Sequence, residues 1–338
     1  MSNKARLIDI AKALNISTTT VSRALNNKLD ISLKTKEAVL KLANQLDYQP
    51  NNLAISLRKK KSFKSIGVIL PNVGHYFFST VLKGIMHKAH LNNHLVMVGE
   101  SEEKGVQEQK LVEEFVDYGV NGILMAPGRE SNHRDITDLL KNKRIPLILM
   151  DRIFPDYCGS YVLCDDFHGA QIATTHLIER GKKRIAHIGP LINCSVSYQR
   201  YTGYLTALEK NGIEKDESLI EECLISNMEA GYKAAQELFA LDNPPDAIFT
   251  VNDDVAAGVL DFCDSKQIKV PDNVAVVGYS NSELSSIIKP KLTTVEQKGE
   301  LMGELAFDFF FESYGDKKSI HQKTFESRLI VRESSFRS

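Results

Sequence analysis

The chain has 338 residues, of which 43% are hydrophobic, so it is long enough for more than one domain with a buried core. Its five cysteines are scattered without a Cys-x-x-Cys pair, which favours reduced thiols over a disulfide framework or a zinc site. No apolar run approaches about eighteen residues, so the sequence predicts no membrane-spanning helix. The formal net charge of −1 hides an asymmetry, because residues 1–64 carry 13 Lys and Arg against 4 Asp and Glu, and the rest of the chain carries a net −10. A basic segment of this kind predicts a polyanionic partner.

The first predicted elements are two short amphipathic helices joined by a tight turn. Apolar residues from Leu7 to Leu14 recur at helical spacing, and Asn15 tolerates the left-handed backbone of a sharp turn. Ser17 can cap the second helix, in which Val21 points inward and the outer face is short and polar. Such a face suits the major groove of DNA, where hydroxyls reach phosphates or base edges and arginine pairs with guanine. We interpret this segment as a helix-turn-helix.

A third helical pattern and a basic linker follow. Pro50 biases its predecessor away from helical backbone, and a short helical pattern over residues 52–58 leads into the run Arg58-Lys59-Lys60-Lys61. A helix this short is unstable alone in water. The sequence thus predicts a helix-turn-helix DNA-binding domain over residues 1–48, and a short helix with a basic linker over residues 49–64.

The remainder, residues 65–338, alternates apolar β-rich runs with helical patterns. Strands are predicted at residues 66–70, 95–98, 122–126, 146–150, 184–188, 247–251 and 274–278, and helices at residues 77–92, 106–118, 135–142, 168–180, 198–211, 231–241 and 255–267. This alternation indicates parallel sheets covered by helices on both faces. Open sheets of this kind bind ligands at the carboxyl ends of their strands.

With these patterns in place, the chain resembles the lactose/galactose repressor (LacI/GalR) family over essentially its full length. The resemblance is carried by the order and spacing of motifs, chiefly Asp9-Ile10-Ala11, Thr20-Val21-Ser22-Arg23, Pro50-Asn51, Ser56-Leu57, Asp151-Arg152, Asn252-Asp253, Val277-Gly278-Tyr279 and Leu292-Thr293-Thr294-Val295. It implies an N-terminal all-α helix-turn-helix headpiece with a hinge helix, plus an α/β periplasmic-binding-protein-like core of two doubly wound parallel-sheet subdomains. Subdomain 1 would comprise residues 65–161 and 292–324, and subdomain 2 residues 162–291 and 325–338.

The resemblance also implies a homodimer on a pseudo-palindromic double-stranded DNA operator. The residues that would read bases are Thr18, Thr19 and Arg23, and those that would contact phosphates are Ser17, Thr20, Ser22 and Asn26. Two copies of Leu57, one per subunit, would enter the minor groove at the operator centre and kink the duplex. The alternatives are a helix-turn-helix used for protein contact, and a Leu57 that packs against the core.

For a small-molecule effector, the family positions correspond to Phe77, Asp151, Ser197, Arg200, Asn252 and Ser280. Carboxylate, guanidinium and amide groups around a cleft can bind vicinal hydroxyls or a phosphate, so the resemblance implies a sugar, a sugar derivative or a sugar phosphate. The family commonly places an aspartate where this chain has Ser280, a departure that favours an anionic ligand or a differently oriented sugar. The sequence leaves open whether the effector acts as an inducer or a co-repressor.

Other function classes are disfavoured. The chain lacks a Gly-rich phosphate loop and the Gly-x-Ser-x-Gly and His-Glu-x-x-His motifs, and its paired carboxylates are adjacent in sequence, so we expect no enzyme activity and no cofactor. His87, His90 and His94 have helical spacing, but no acid or cysteine completes a metal shell. The remaining alternative is a solute- or sugar-binding module without a transcriptional role. The basic N-terminal segment and the absence of an export signal argue against it and predict a cytoplasmic protein.

Overall fold

The computed structural model describes residues 6–25, 28, 30–46, 48, 64–131, 133–191, 195–315 and 319–336. The chain divides into two units, residues 1–63 and 64–338. The predicted hinge helix with Leu57 and the predicted phosphate contact Asn26 lie outside the described residues.

The described part of the first unit forms three helices, α1 (Leu7–Ala13), α2 (Thr18–Leu25) and α3 (Leu33–Gln45). They enclose a small core in which Ile10 and Val21 are fully buried. Asn15 has a left-handed backbone (φ 51°) between α1 and α2, and the Ser17 hydroxyl accepts a hydrogen bond from the Thr20 backbone N–H at 3.0 Å. The predicted helix-turn-helix is confirmed, with Asn15 in its turn and Ser17 as its cap.

The second unit alternates strands and helices along the chain. In order, its described elements are β1 (Ser65–Leu70), α4 (Tyr76–Leu91), β2 (Leu95–Glu100), α5 (Gly105–Tyr118), β3 (Ile123–Met125), α6 (His133–Lys143), β4 (Leu147–Met150), β5 (Ser160–Cys164), α7 (Asp166–Glu179), β6 (Ile185–Ile188), α8 (Ser195–Lys210), β7 (Ile220–Glu221), α9 (Met228–Phe239), β8 (Ala247–Thr250), α10 (Asp253–Ser265), β9 (Ala275–Ser280), α11 (Glu283–Ile287), β10 (Thr293–Glu296), α12 (Gly299–Gly315), β11 (Gln322–Phe325) and β12 (Arg328–Ile330).

The strands described in this unit form two six-stranded sheets. The first has the order β11-β5-β4-β3-β1-β2 and is parallel throughout. The second has the order β12-β10-β9-β8-β6-β7, and only its edge strand β12 is antiparallel. The central strands are buried along their whole length, as expected for sheets covered on both faces. The predicted architecture of two parallel-sheet subdomains is confirmed.

The chain passes between the two sheets at three places in its described part, and one of them differs from the prediction. The passages lie between β5 and α7, between β10 and α12, and between β11 and β12. The prediction that subdomain 1 resumes at residue 292 is wrong, because β10 pairs with β9 in the second sheet, Thr293 lying beside Val277. The return to the first subdomain comes after Glu296, where α12 begins to pack against α4.

Helices α4 and α12 lie close together on the first sheet. Gly84 and Gly303 stand at their crossing, where a Cβ atom on either residue would clash with a backbone carbonyl of the facing helix. Phe307 and Phe310 of α12 are fully buried in the same core. The sequence patterns do not predict α12, because its glycines resemble helix breakers and its apolar residues occupy more than one face.

The described residues show neither a membrane-spanning helix nor a metal-binding cluster. None of the helices in these ranges is long and apolar enough to cross a membrane. No group of three His, Cys, Asp or Glu side chains in the same ranges is placed to hold a metal ion. Instead, His87 lies 2.9 Å from Glu304 on α12, and the His94 ring packs edge-on against Phe307. His87 thus joins α4 to α12 at the surface, and His94 packs on α12 from the loop after α4.

Candidate DNA-binding surface and effector cleft

Helix α2 presents a polar face to solvent. Its apolar side is buried, whereas the three side chains predicted to read bases, Thr18, Thr19 and Arg23, are exposed. The predicted phosphate contacts within the described residues lie at the edges of this face: exposed Ser17 and half-buried Thr20 and Ser22. Short hydroxyl side chains beside one arginine form a surface that can enter a major groove.

Arg23 is held by an acid that the sequence analysis did not single out. Its Nη2 lies 2.7 Å from Asp30 Oδ2, and both side chains are about half exposed. The hydrogen bond from Arg23 lowers the pKa of Asp30 below its usual value. Asp30 lies in the loop between α2 and α3, where no sequence pattern indicates a partner for the guanidinium. The ion pair links the base-reading face of α2 to the loop that follows it.

A cleft of about 730 Å³ lies between the two sheets of the second unit. Its described lining residues follow the carboxyl ends of strands from both sheets, as at Pro71 after β1, Asp151 after β4 and Asn252 after β8. Its volume falls within the range of about 300–1,000 Å³ that is usual for small-molecule sites. Five of the six predicted effector residues line it: Phe77, Asp151, Ser197, Arg200 and Asn252.

Ser280, the sixth predicted residue, lies behind the cleft wall. Its hydroxyl donates a hydrogen bond to Gln297 Oε1 at 3.0 Å, and Gln297, instead of Ser280, lines the cleft at this point. Gln297 follows β10, a strand that the sequence patterns did not predict, so its place at the cleft had no sequence signal. The Gln297 Nε2 donor is buried without a hydrogen-bond partner among the described residues.

Arg200 is the most strongly held side chain in the cleft wall. Its Nη2 and Nε lie 2.7 Å and 2.8 Å from Asp166 Oδ1, and Nη1 donates to the Val251 carbonyl at 2.6 Å. The guanidinium also stacks on Tyr279, with its carbon 3.7 Å from the ring centre. Arg200 is 5% exposed and Asp166 is 1% exposed, so this is a buried ion pair rather than a surface salt bridge.

Asp151 carries a carboxylate that the protein leaves partly unsatisfied. The residue has a left-handed backbone (φ 64°) at the end of β4, and its Oδ1 is buried without a hydrogen-bond partner in the described structure. Its Oδ2 lies 3.6 Å from Arg152 Nε. Burial raises the pKa of Asp151 to about 6, against the opposing charge of Arg152. An unsatisfied buried acceptor of this kind favours a ligand that donates a hydrogen bond.

The cleft also contains residues that the sequence did not predict there. Arg152 Nη1 donates to Glu103 Oε2 at 2.8 Å, and the same carboxylate oxygen accepts from the Arg129 backbone N–H at 3.0 Å. Arg129 Nη1 reaches across the cleft to the Leu224 carbonyl at 2.8 Å, which links the two subdomains directly. Arg152 follows Asp151 in a family motif, but the loops that carry Glu103 and Arg129 showed no pattern.

Comparison with known proteins identifies the family to which the chain belongs. Residues 6–51 match the family described as bacterial regulatory proteins, lacI family, and residues 174–335 match the periplasmic binding protein-like domain. The chain is 32% identical to the NTD biosynthesis operon regulator NtdR of Bacillus subtilis, over 97% of this chain and 98% of that protein. It belongs to the lacI family of bacterial regulatory proteins. It is also 32% identical to the probable transcriptional repressor ExuR of Bacillus subtilis, over 96% and 97% of the two chains.

Solved structures agree with this lacI-family assignment. The transcriptional regulator CelR in complex with cellobiose has a TM-score of 0.74 and 25% identity, covering 98% of this chain and 99% of that one. The Lac repressor dimer bound to operator and an anti-inducer has the same fold, with a TM-score of 0.82 at 22% identity, covering 99% and 100%. The predicted family, fold and regulatory role are confirmed. The match of residues 6–51 leaves no support for a solute-binding module without a transcriptional role.

Proposed function

We propose that this lacI-family regulator binds a pseudo-palindromic operator as a homodimer and represses transcription, and that a sugar or sugar derivative in the cleft controls this binding. The observation that carries the proposal is the cleft itself, which is built from the strand ends of two subdomains that a ligand can draw together or separate. Relatives named as repressors support the regulatory part, and the CelR–cellobiose complex supports the ligand class. The effector equilibrium then biases the DNA equilibrium.

The residues proposed for DNA contact are those of the exposed α2 face. The exposed Thr18, Thr19 and Arg23 would meet base edges, and Ser17, Thr20 and Ser22 at the edges of this face would meet phosphates. Asn26 and Leu57 stay predictions. We place the DNA-binding domain at residues 1–48 and the linker at residues 49–64, as the sequence analysis does.

The residues proposed for effector contact line the cleft: Phe77, Asp151, Ser197, Arg200 and Asn252, with Gln297 in place of Ser280. We propose that the ligand is bound without chemical change, because the family consists of DNA-binding regulators, and that the protein acts in the cytoplasm, where its operator lies. We propose subdomain boundaries near residues 165, 297 and 326, which the passages of the chain between the sheets support.

The test begins with the selection of bound sequences from a random DNA pool by the full-length protein. We expect a twofold-symmetric consensus. Neutral sugars, amino sugars, sugar acids and sugar phosphates are then screened for a shift in the melting temperature and for a change in operator affinity. Failure to recover any symmetric site at low salt, with and without these compounds, would contradict the proposal. A compound that raises the melting temperature and strengthens operator binding is a co-repressor, and one that weakens it is an inducer.

Effector binding is expected to weaken as pH falls through about 6. Because the pKa of buried Asp151 is raised to about 6, the free protein holds a proton on this carboxyl below that pH. A ligand hydroxyl that donates to the carboxylate favours its charged form, so binding must release the proton. The charged groups that act on Asp151 are Arg152, Asp166, Arg200 and Glu103. Calorimetry in two buffers of different ionisation enthalpy measures this release.

The matched control for the pH experiment is Asp151→Asn, which removes the titrating group and keeps the shape of the side chain. It is expected to bind more weakly and without proton release near pH 6. Equal proton release in the variant and the wild type would assign the titration to another group.

A further inference from the structure

We propose that the effector of this cleft bears hydroxyl or amine donors and carries no phosphate or carboxylate group. The inference rests on the proposed function, because it takes the cleft between the two sheets as the effector site. The sequence is compatible with either a neutral sugar or a sugar phosphate as the effector. The inference favours the neutral sugar.

The first argument is the balance of charge around the cleft. Its described lining includes five acids, Glu100, Glu102, Glu103, Asp151 and Asp254, against three arginines, and Lys104 pairs with Glu102 at 2.6 Å from outside the lining. Burial lowers the pKa of the lining residue His75, so its imidazole adds no positive charge at neutral pH. The lining therefore has an excess of negative charge, and in a cleft with low-dielectric walls this excess repels an anion.

The second argument is that two of the three guanidiniums are already neutralised. Arg200 lies 2.7 Å from Asp166, a carboxylate behind the wall, and Arg152 lies 2.8 Å from Glu103. Both arginines also donate to backbone carbonyls, of Val251 and Pro127. A phosphate or carboxylate that sought either guanidinium would have to compete with a bound carboxylate for it.

Arg129 is the third guanidinium and the strongest candidate for an anion anchor, because its Nε is buried without a partner in the described structure. However, its Nη1 already donates to the Leu224 carbonyl of the opposite subdomain, and Glu103 is held against its backbone N–H. An anion on the Arg129 guanidinium would therefore compete with the Leu224 carbonyl and disturb the link between the subdomains. We infer that Arg129 bridges the cleft rather than anchoring an anion.

The third argument is the set of unsatisfied polar atoms. Besides Arg129 Nε, the buried unpartnered atoms of described lining residues include the acceptor Asp151 Oδ1, the donor Gln297 Nε2 and the imidazole nitrogen His75 Nδ1. A hydroxyl group donates and accepts, so a polyol can satisfy all three, and an ammonium group can satisfy Asp151. An ionised carboxylate or phosphate has no proton to give Asp151 at neutral pH. Its charge would also oppose that of the aspartate.

The test compares ligands that share a skeleton and differ only in charge. Glucose, glucosamine, glucuronate and glucose 6-phosphate form one series, and ribose with ribose 5-phosphate, and galactose with galacturonate and galactose 6-phosphate, form others. Binding to the full-length protein is measured by melting temperature and calorimetry at low salt. In any series with a binder, the neutral or amino member is expected to bind at least about tenfold more tightly than the anionic members.

A sugar acid or sugar phosphate that binds more tightly than its neutral parent would overturn the inference, and loss of that binding in Arg129→Gln would identify the anchor. If the neutral and amino sugars fail to bind while anionic members do, the cleft assignment survives and the ligand class is wrong. If no member of any series binds, the proposed effector class fails and this inference fails with it.

Substitutions of single acids test whether the charge of the cleft, rather than a loss of folding, causes the preference for neutral ligands. Asp151→Asn is expected to weaken the neutral ligand about tenfold or more and to reduce its advantage over the phosphate. Glu102→Gln, at an exposed rim position, is expected to reduce discrimination against the phosphate even if Asp151→Asn does not fold. The control is Asp117→Asn, which makes the same charge change at an exposed position on α5 outside the lining residues and should leave the discrimination unchanged. Unchanged discrimination in both cleft variants would contradict the charge argument.

Discussion

Replacing Arg200 with alanine is expected to lower the free energy of unfolding of the second unit by about 3–5 kcal/mol, because it leaves a buried carboxylate without its partner. Asp166 is 1% exposed, and Arg200 contacts it through two nitrogens at 2.7 Å and 2.8 Å. The variant also loses the stacking on Tyr279 and the hydrogen bond to the Val251 carbonyl. Urea unfolding, followed by circular dichroism, measures the change.

The double variant Asp166→Asn/Arg200→Ala tests the cause. If the loss comes from an uncompensated charge, removing the carboxylate should restore part of the stability that Arg200→Ala removes. Lys83→Ala is the control, because it breaks a solvent-exposed pair with Glu300 and should leave the unfolding curve unchanged. A normal unfolding curve for Arg200→Ala would show that this arginine serves the ligand alone.

The contact between Asp166 and Arg200 could not be predicted from the sequence. Of the adjacent acids Asp165 and Asp166, Asp165 caps α7, its Oδ1 accepting from the His168 backbone N–H at 2.9 Å. Asp166 instead turns inward to Arg200, which lies 34 positions later. Helix capping is a local property and can be read from neighbouring residues. A contact between the starts of two helices depends on how both dock on the sheet.

The fold shows the same division between local and long-range information. Most strands and helices between Ser65 and Ser280 have clear periodicities, and their positions agree closely with the prediction, although β5 and β7 were not predicted. By contrast, nothing in the pattern of β10 indicates which sheet it joins, since a buried strand of either subdomain would have the same composition. Helix α12 was not predicted because Gly303 is read locally as a breaker, whereas in the fold it admits the backbone of α4.

Replacing Arg23 with alanine is expected to weaken specific operator binding by about 1–3 kcal/mol for each half-site, and by about twice that for a homodimer with two copies. The side chain is exposed on α2, where it pairs with Asp30 at 2.7 Å. Bidentate contact with a guanine would be lost, so the base preference should relax at one position in each half-site. Sequence selection and gel-shift titration with the selected operator measure both effects.

Two further variants show whether this loss is one of base recognition or only of charge. Arg6→Ala removes the same charge at an exposed position just before α1 and should leave the base preference unchanged. Asp30→Asn removes an acid from the same surface and releases Arg23, so it should strengthen binding to selected and random DNA alike, with a smaller dependence on sequence. Equal losses on selected and random DNA for Arg23→Ala would mean that the arginine contacts phosphates. The sequence would then have to be read by the threonine hydroxyls and methyl groups alone.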